Sequence, residues 1–196
     1  MDYSIFSFPE ASNEYIYVPG SKIILSAPHA YDHYRDGVIK QGELGTDKIA
    51  KLLAEELGLG YIATTGVQSG DPNWDTQHPF RDEILNIVAD YNYLVDLHFM
   101  LPRKVDLNIG RGVDFTTNSI LSENIFKIFE SHEYRVAVNW PFSAKGPTLT
   151  SLAQRAGLPA LQLEINYDSF KVEDKGIERL VELLSGAFTQ TIGRVV

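Results

Sequence analysis

The 196-residue chain has no cysteine. That excludes a disulfide, a thiolate nucleophile, a Cys-type zinc finger and an iron–sulfur cluster. Any metal must be held by histidine and carboxylate, and there are only five histidines. Long apolar runs are missing too: none approaches the roughly 20 residues needed to cross a bilayer. Residues 1–10 lack a basic start followed by an apolar stretch, so they do not read as a signal peptide. With no targeting or spanning segment, a cytoplasmic protein is expected. Positive charge is also in deficit, with 17 Lys and Arg against 26 Asp and Glu and a net charge of −9. This argues against a general nucleic-acid binder, whose affinity rests on basic residues facing phosphates. It does not constrain a small substrate. No G-x-S-x-G elbow, P-loop or H-E-x-x-H motif is present. Gly58-Leu59-Gly60 precedes a strand pattern rather than following one, so it is not a dinucleotide loop.

What is present is a core-forming composition. Hydrophobic residues make up 44% of the chain and aromatics 11%, which excludes wholesale disorder. The length suits one domain spanning 1–196, and no repeat or linker divides it. Lys22–Ala27, Tyr61–Thr65, Tyr93–His98, Val105–Ile109, Tyr134–Asn139 and Pro159–Ile165 read as strands. Helices are expected over Thr46–Leu57, from Pro79 onward, and over Ser122–Glu130, Thr148–Ala156 and Asp174–Thr191. Residues 66–77 are rich in Gly, Pro, Asn, Asp and Ser and read as a loop. Strands alternating with helices imply an α/β protein with a mostly parallel sheet covered on both faces.

In such a sheet, ligands gather outside the carboxyl ends of the strands. His29 follows the first strand, His98 closes the third, and Glu164 closes the last. If the strands are parallel, all three project towards one rim. Two histidines there suggest a metal with a carboxylate as third ligand, as in the His, His, Glu zinc set. Ordinary buried histidines would give the same pattern. Asp32 and Glu43 are both placed to be that carboxylate. Glu164 lies in an apolar strand and needs a partner. It suits a general base, and a salt bridge at the sheet end would satisfy it equally. Asp96, on the same strand face as His98, can orient an imidazole or cap a helix. Arg81 sits in the first turn of a helix, where a cation opposes the dipole. That placement points to a grip on a substrate carboxylate, with a surface salt bridge as the simpler reading. Arg111, between two glycines, and Asn73, in a turn-rich loop, are further candidates for contact with substrate. His33, His78 and His132 read as background, with His78 placed to cap the helix that Pro79 opens.

These residues occur in a familiar order. Pro28-His29 after a strand, Glu43-Leu44-Gly45-Thr46 opening a helix, Asp96-Leu97-His98 ending a strand and Gln162-Leu163-Glu164 near the end form the series. The chain thereby resembles N-formylglutamate amidohydrolase-like proteins and phage-type poly-γ-glutamate hydrolases, relatives of the zinc carboxypeptidases. The resemblance implies a three-layer α/β/α fold of the phosphorylase/hydrolase-like kind with a mixed, mostly parallel sheet. It implies one zinc ion per chain on His29, Glu43 and His98, with Glu43 preferred over Asp32. It makes Glu164 the general base and gives Arg81 the part of the arginine that binds a substrate carboxylate or polarises the carbonyl. Asn73 and Arg111 would assist in binding. The family carries Asn and Arg side by side, whereas here Asn73 is followed by Trp74. The activity implied is hydrolysis of a C–N amide bond in an N-acyl amino acid or γ-glutamyl substrate. A metal- or ligand-binding protein of the same fold, without turnover, is the alternative.

Overall fold

The computed structural model describes residues 11–170 and 174–193. The N-terminal segment read above against a signal peptide lies outside them. The described strands are β1 (Tyr15–Val18), β2 (Ile23–Ala27), β3 (His33–Arg35), β4 (Val38–Lys40), β5 (Gly60–Thr64), β6 (Tyr93–Met100), β7 (Leu107–Gly110), β8 (Val136–Val138) and β9 (Ala160–Asn166). The helices are α1 (Thr46–Leu57), α2 (Pro79–Ile87), α3 (Ser119–Ser131), α4 (Leu149–Arg155), α5 (Tyr167–Phe170) and α6 (Asp174–Ile192). Among the described residues the main sheet has seven strands in the order β1-β5-β2-β6-β9-β7-β8. The central four run parallel, β1 and β7 run against their neighbours, and β8 follows β7. Helices α1, α3 and α6 pack on one face, and α2 and α4 on the other. This is the α/β fold expected from the alternation. Among the described residues no helix is long and apolar enough to cross a membrane.

The strands that carry the site change character along their length. In β2, β6 and β9, alternate residues Leu25, Val95, Leu97, Leu161 and Leu163 enter the larger core, beneath α1, α3 and α6. The other face begins equally apolar, with Ile24, Leu94 and Ala160 under α2 and α4. Two residues further on it turns polar, at Ser26, Asp96 and Gln162, and then comes to His98 and Glu164. Asp96 lies opposite Ser26 on one neighbour and Gln162 on the other, and His98 lies opposite Glu164. The register therefore gathers the polar residues of three strands at one rim.

Several elements depart from the sequence reading. Strand β6 runs two residues past His98. The helix from Pro79 ends at Ile87 and continues as a single tight turn over Val88–Asp90. Strand β1 is an added edge strand, and β3 and β4 form a separate hairpin. Its two-residue turn, Asp36-Gly37, has φ values of 52° and 73°, the left-handed pair that such a hairpin needs.

Asp106 ties the second half together. Its carboxylate accepts from the Arg135 backbone N–H at 2.7 Å, from the Arg135 guanidinium at 2.8 and 3.0 Å, and from the Ser169 hydroxyl at 2.6 Å. Those bonds from Arg135, reinforced by Ser169, hold the carboxyl down to about 2 against the opposing effect of burial. Asp106→Asn is expected to lower stability by about 1–2 kcal/mol at neutral pH. A depressed carboxyl stabilises fully above its unfolded value of about 3.9 and ceases to do so as pH falls through about 2. Denaturant melts of the two proteins should therefore converge as pH is lowered towards about 2.

Candidate metal centre and active-site cleft

His29 and His98 meet across one carboxylate. Nδ1 of His29 lies 3.1 Å from Glu43 Oε1, and Nδ1 of His98 lies 3.2 Å from Glu43 Oε2. The two rings stand edge to face with centroids 4.8 Å apart. Each ring's far nitrogen meets a fully buried aspartate: His29 Nε2 is 2.8 Å from Asp71 Oδ1, and His98 Nε2 is 3.1 Å from Asp96 Oδ2. Asp96 is fixed in turn by the Ser26 hydroxyl at 2.6 Å. Glu43 is locked from both ends. Its backbone N–H donates to the His29 carbonyl, its own carbonyl accepts from Thr46, and its Oε2 accepts the Phe99 N–H at 2.9 Å. Gly45, at φ 103°, lets the chain turn from Glu43 into α1, a conformation that a residue with a Cβ rarely adopts.

Three buried or half-buried carboxylates thus surround two imidazoles. Burial disfavours the charged form of Glu43, but His98 and His29 outweigh it and hold the carboxyl far below its usual range. Burial likewise opposes charging of His98, yet Asp96 and Glu43 push its pKa well up. His29 is raised against the same opposition by Glu43 and Asp71. The cluster is an electrostatic well for positive charge. Donor atoms of His29, Glu43 and His98 all lie within 4.8 Å of one another, so the set can hold a metal ion. With Nδ1 turned to the shared centre and Nε2 held by an aspartate, each ring has the carboxylate–histidine support seen behind metal ligands.

His29, Glu43 and His98 lie in a cleft of about 460 Å³, together with Gln162 and Glu164. Glu164 is buried, and burial pushes its carboxyl up to about 7, with His98 opposing and Glu43 adding to the rise. Gln162 Nε2 donates to Glu164 Oε1 at 2.6 Å. The walls carry Arg35, Trp74, Arg103, Phe142 and Lys145.

The other sequence candidates are placed differently. Asp32 accepts the Gly42 N–H at 2.7 Å and bridges a loop. Asn73 lines the cleft, but its Oδ1 accepts the Leu149 N–H at 2.7 Å and its Nδ2 lies 3.2 Å from His98, so its amide is committed to positioning. Arg81 is not a surface cation. It is buried, donates to the Pro147 carbonyl at 2.7 Å and reaches that of Pro72, tying two loops together beneath the cleft. Arg111 bonds Asn118 at 3.1 Å and the Phe115 carbonyl. Neither arginine lines the cleft, whereas Arg35 and Arg103 do. His78 caps α2, accepting the Phe80 N–H.

No protein-family model matches the sequence, and no curated protein matches it. Solved structures do. A bacteriophage poly-γ-glutamate hydrolase superposes with a TM-score of 0.65 at 16% identity, covering 91% of this chain and 90% of its own. N-formylglutamate amidohydrolase from Ralstonia eutropha JMP134 gives 0.64 at 13%, covering 94% and 100%. YNDL in its zinc-free form gives 0.64 at 15%, covering 93% of each. The chain shares the fold of these proteins.

Within that fold, sequence reading passed over His33, Asp71, Arg35 and Arg103. His33 is buried and stacks on His29 at 4.1 Å, with Nε2 3.5 Å from Asp71. Burial and the nearby His29 lower it to about 4. Arg35 grips Asp71 and lies over the Trp74 ring at 5.3 Å. The signals available were a second histidine four residues after His29 and the Asp36-Gly37 turn that swings Arg35 back towards the cleft.

Proposed function

We propose that the protein is a zinc-dependent amidohydrolase cleaving the C–N bond of an N-acyl amino acid or a γ-glutamyl peptide. The observation that carries this reading is a buried carboxylate, Glu164, beside a two-histidine, one-carboxylate donor set in one cleft. The donors are all nitrogen and oxygen, and His, His, Glu is a catalytic zinc set that leaves a position open. His29 and His98 would hold the ion through Nδ1, and Glu43 through its carboxylate. When bound, such an ion supplies a Lewis acid and makes water more acidic near neutral pH.

The chain's own residues account for the rest. Asp71 and Asp96 fix the tautomer and aim of the two imidazoles. Glu164 takes a proton from water as the water oxygen bonds to the acyl carbon. It returns a proton to the amine nitrogen as the C–N bond breaks, and so ends ionised as it began. A carboxyl poised near neutral pH suits both transfers. Arg103 and Lys145 have no carboxylate partner among the described residues, and they face the cleft. In a chain of net charge −9 this local basic wall favours an acidic substrate. The amidohydrolases that share the fold support the same reaction class.

Two measurements test the reading together. Metal analysis of the purified protein should find about one ion per chain, as expected of a single His, His, Glu centre. A panel of N-acyl amino acids and γ-glutamyl peptides with zinc-loaded protein should release free amine, most readily from acidic members. A protein that stays metal-free in the presence of excess zinc at neutral pH would overturn it. Binding of the panel with no turnover would favour a ligand-binding protein instead. Asp96→Asn should keep the ligands but weaken zinc affinity by roughly 10–100-fold, read by competition with a chelator.

A further inference from the structure

Gln162 lies two residues before Glu164 on β9, on the same strand face, and lines the cleft while only 4% exposed. Its amide has two ends with different fates. Nε2 donates to Glu164 Oε1 at 2.6 Å, which turns the carbonyl oxygen away from that carboxylate. The carbonyl oxygen, Oε1, is buried and has no hydrogen-bond partner among the described residues. With Glu164 ionised, as a proton acceptor must be, flipping the amide would set acceptor against acceptor. The neighbouring strands offer no relief. In register on one side is Asp96, whose oxygens already serve Ser26 and His98. On the other side is Gly110, which has no side chain. A buried acceptor left unmet opposes folding. At a cleft wall, beside the group proposed to handle the proton, its natural partner is a donor brought by the substrate.

We infer that Gln162 reads the N–H of the scissile amide: Oε1 accepts that N–H while Nε2 holds Glu164. The inference rests on the hydrolase reading above. It makes secondary amides the substrate class and disfavours esters and tertiary amides, which bring no N–H. One side chain then aligns the carboxylate that delivers the proton with the nitrogen that receives it. The same acceptor bond strengthens as that nitrogen gains positive charge.

The test pairs γ-glutamylglutamate with its analogue in which an ester oxygen replaces the amide N–H. Both kcat/KM and dissociation constants are measured for zinc-loaded wild type, Gln162→Met and Gln162→Glu, with melts to verify folding. Gln162→Met should lose roughly 10–100-fold in kcat/KM on the amide beyond its loss on the ester. Gln162→Glu keeps an acceptor oxygen, so it should retain the amide-to-ester ratio even where both rates fall. An unchanged ratio in Gln162→Met overturns the inference and leaves Gln162 only a support for Glu164. If wild type turns over neither this pair nor any member of the acyl and γ-glutamyl panel above, the hydrolase reading fails. Gln162 is then judged on binding, where equal amide-to-ester affinity ratios in wild type and Gln162→Met overturn the assignment.

Discussion

Replacing His98 with alanine is expected to strip the metal from the protein. His98 gives Nδ1 to the shared centre, and no other described imidazole besides His29 lies against Glu43. Its removal leaves one imidazole and one carboxylate of this set, too few for a three-ligand site, while the second described donor group, His29, His33 and Asp71, stays intact as the competing place for an ion. The loss of affinity should exceed the roughly 10–100-fold that follows from losing a supporting carboxylate. It also leaves Asp96 and Glu43 without the imidazole they share, so the variant should melt somewhat below wild type. Metal content after dialysis against a weak chelator reads the effect. His132 is exposed, and among the described residues its ring bonds only Ser131 and the Ile128 carbonyl, so His132→Ala is the control and should retain its metal. Full occupancy in His98→Ala would refute the ligand set.

Glu164→Gln should separate chemistry from binding. The substitution keeps shape and a hydrogen-bond acceptor for Gln162 but removes the group that takes the proton. A drop in kcat of roughly 10²–10⁴-fold is expected, with metal content unchanged. The pH profile carries the sign. Burial raises this carboxyl to about 7, so below that pH it is protonated and cannot accept. Wild-type kcat/KM should therefore carry an acid limb set by this carboxyl, at or below about 7 because a bound cation favours its ionised form, and that limb should vanish in the variant. Because the folded carboxyl is raised, keeping it ionised works against folding above its unfolded value, and Glu164→Gln should melt no lower than wild type at neutral pH. Full activity with metal bound would exclude Glu164 as the base.

The strand-end residues were legible because their strands break from apolar to polar at their carboxyl ends, and parallel pairing makes such breaks coincide. That logic located His29, His98 and Glu164 without a structure. For Glu43 the local pattern leaves Asp32 open; the helix start beside Glu43 favours it, and the family resemblance adds to that preference. Arg81 shows the limit of local reasoning. A cation in a first helical turn is unusual, but its reason lies in the carbonyls of two loops, one of them 66 residues away. Arg35, Arg103 and Asp71 sit in segments without periodicity, so only their tertiary placement reveals them. Two topological features did leave traces. The Asp36-Gly37 pair marks the small hairpin. The link of residues 101–106 between β6 and β7 is too short for a parallel crossover, which needs a dozen or more residues, so β7 must run backwards.

The two faces of the sheet do different work. The side under α1, α3 and α6 is apolar along the whole length of the central strands, while the side under α2 and α4 gives up its apolar packing halfway to the rim. Cohesion and chemistry are thereby kept in separate layers. Cleft residues can change without disturbing the layer that resists unfolding, so this scaffold has room to explore new substrates while staying folded. Hydrogen exchange should be slowest on that apolar side and should hardly alter there when wall residues such as Arg103 or Lys145 are replaced.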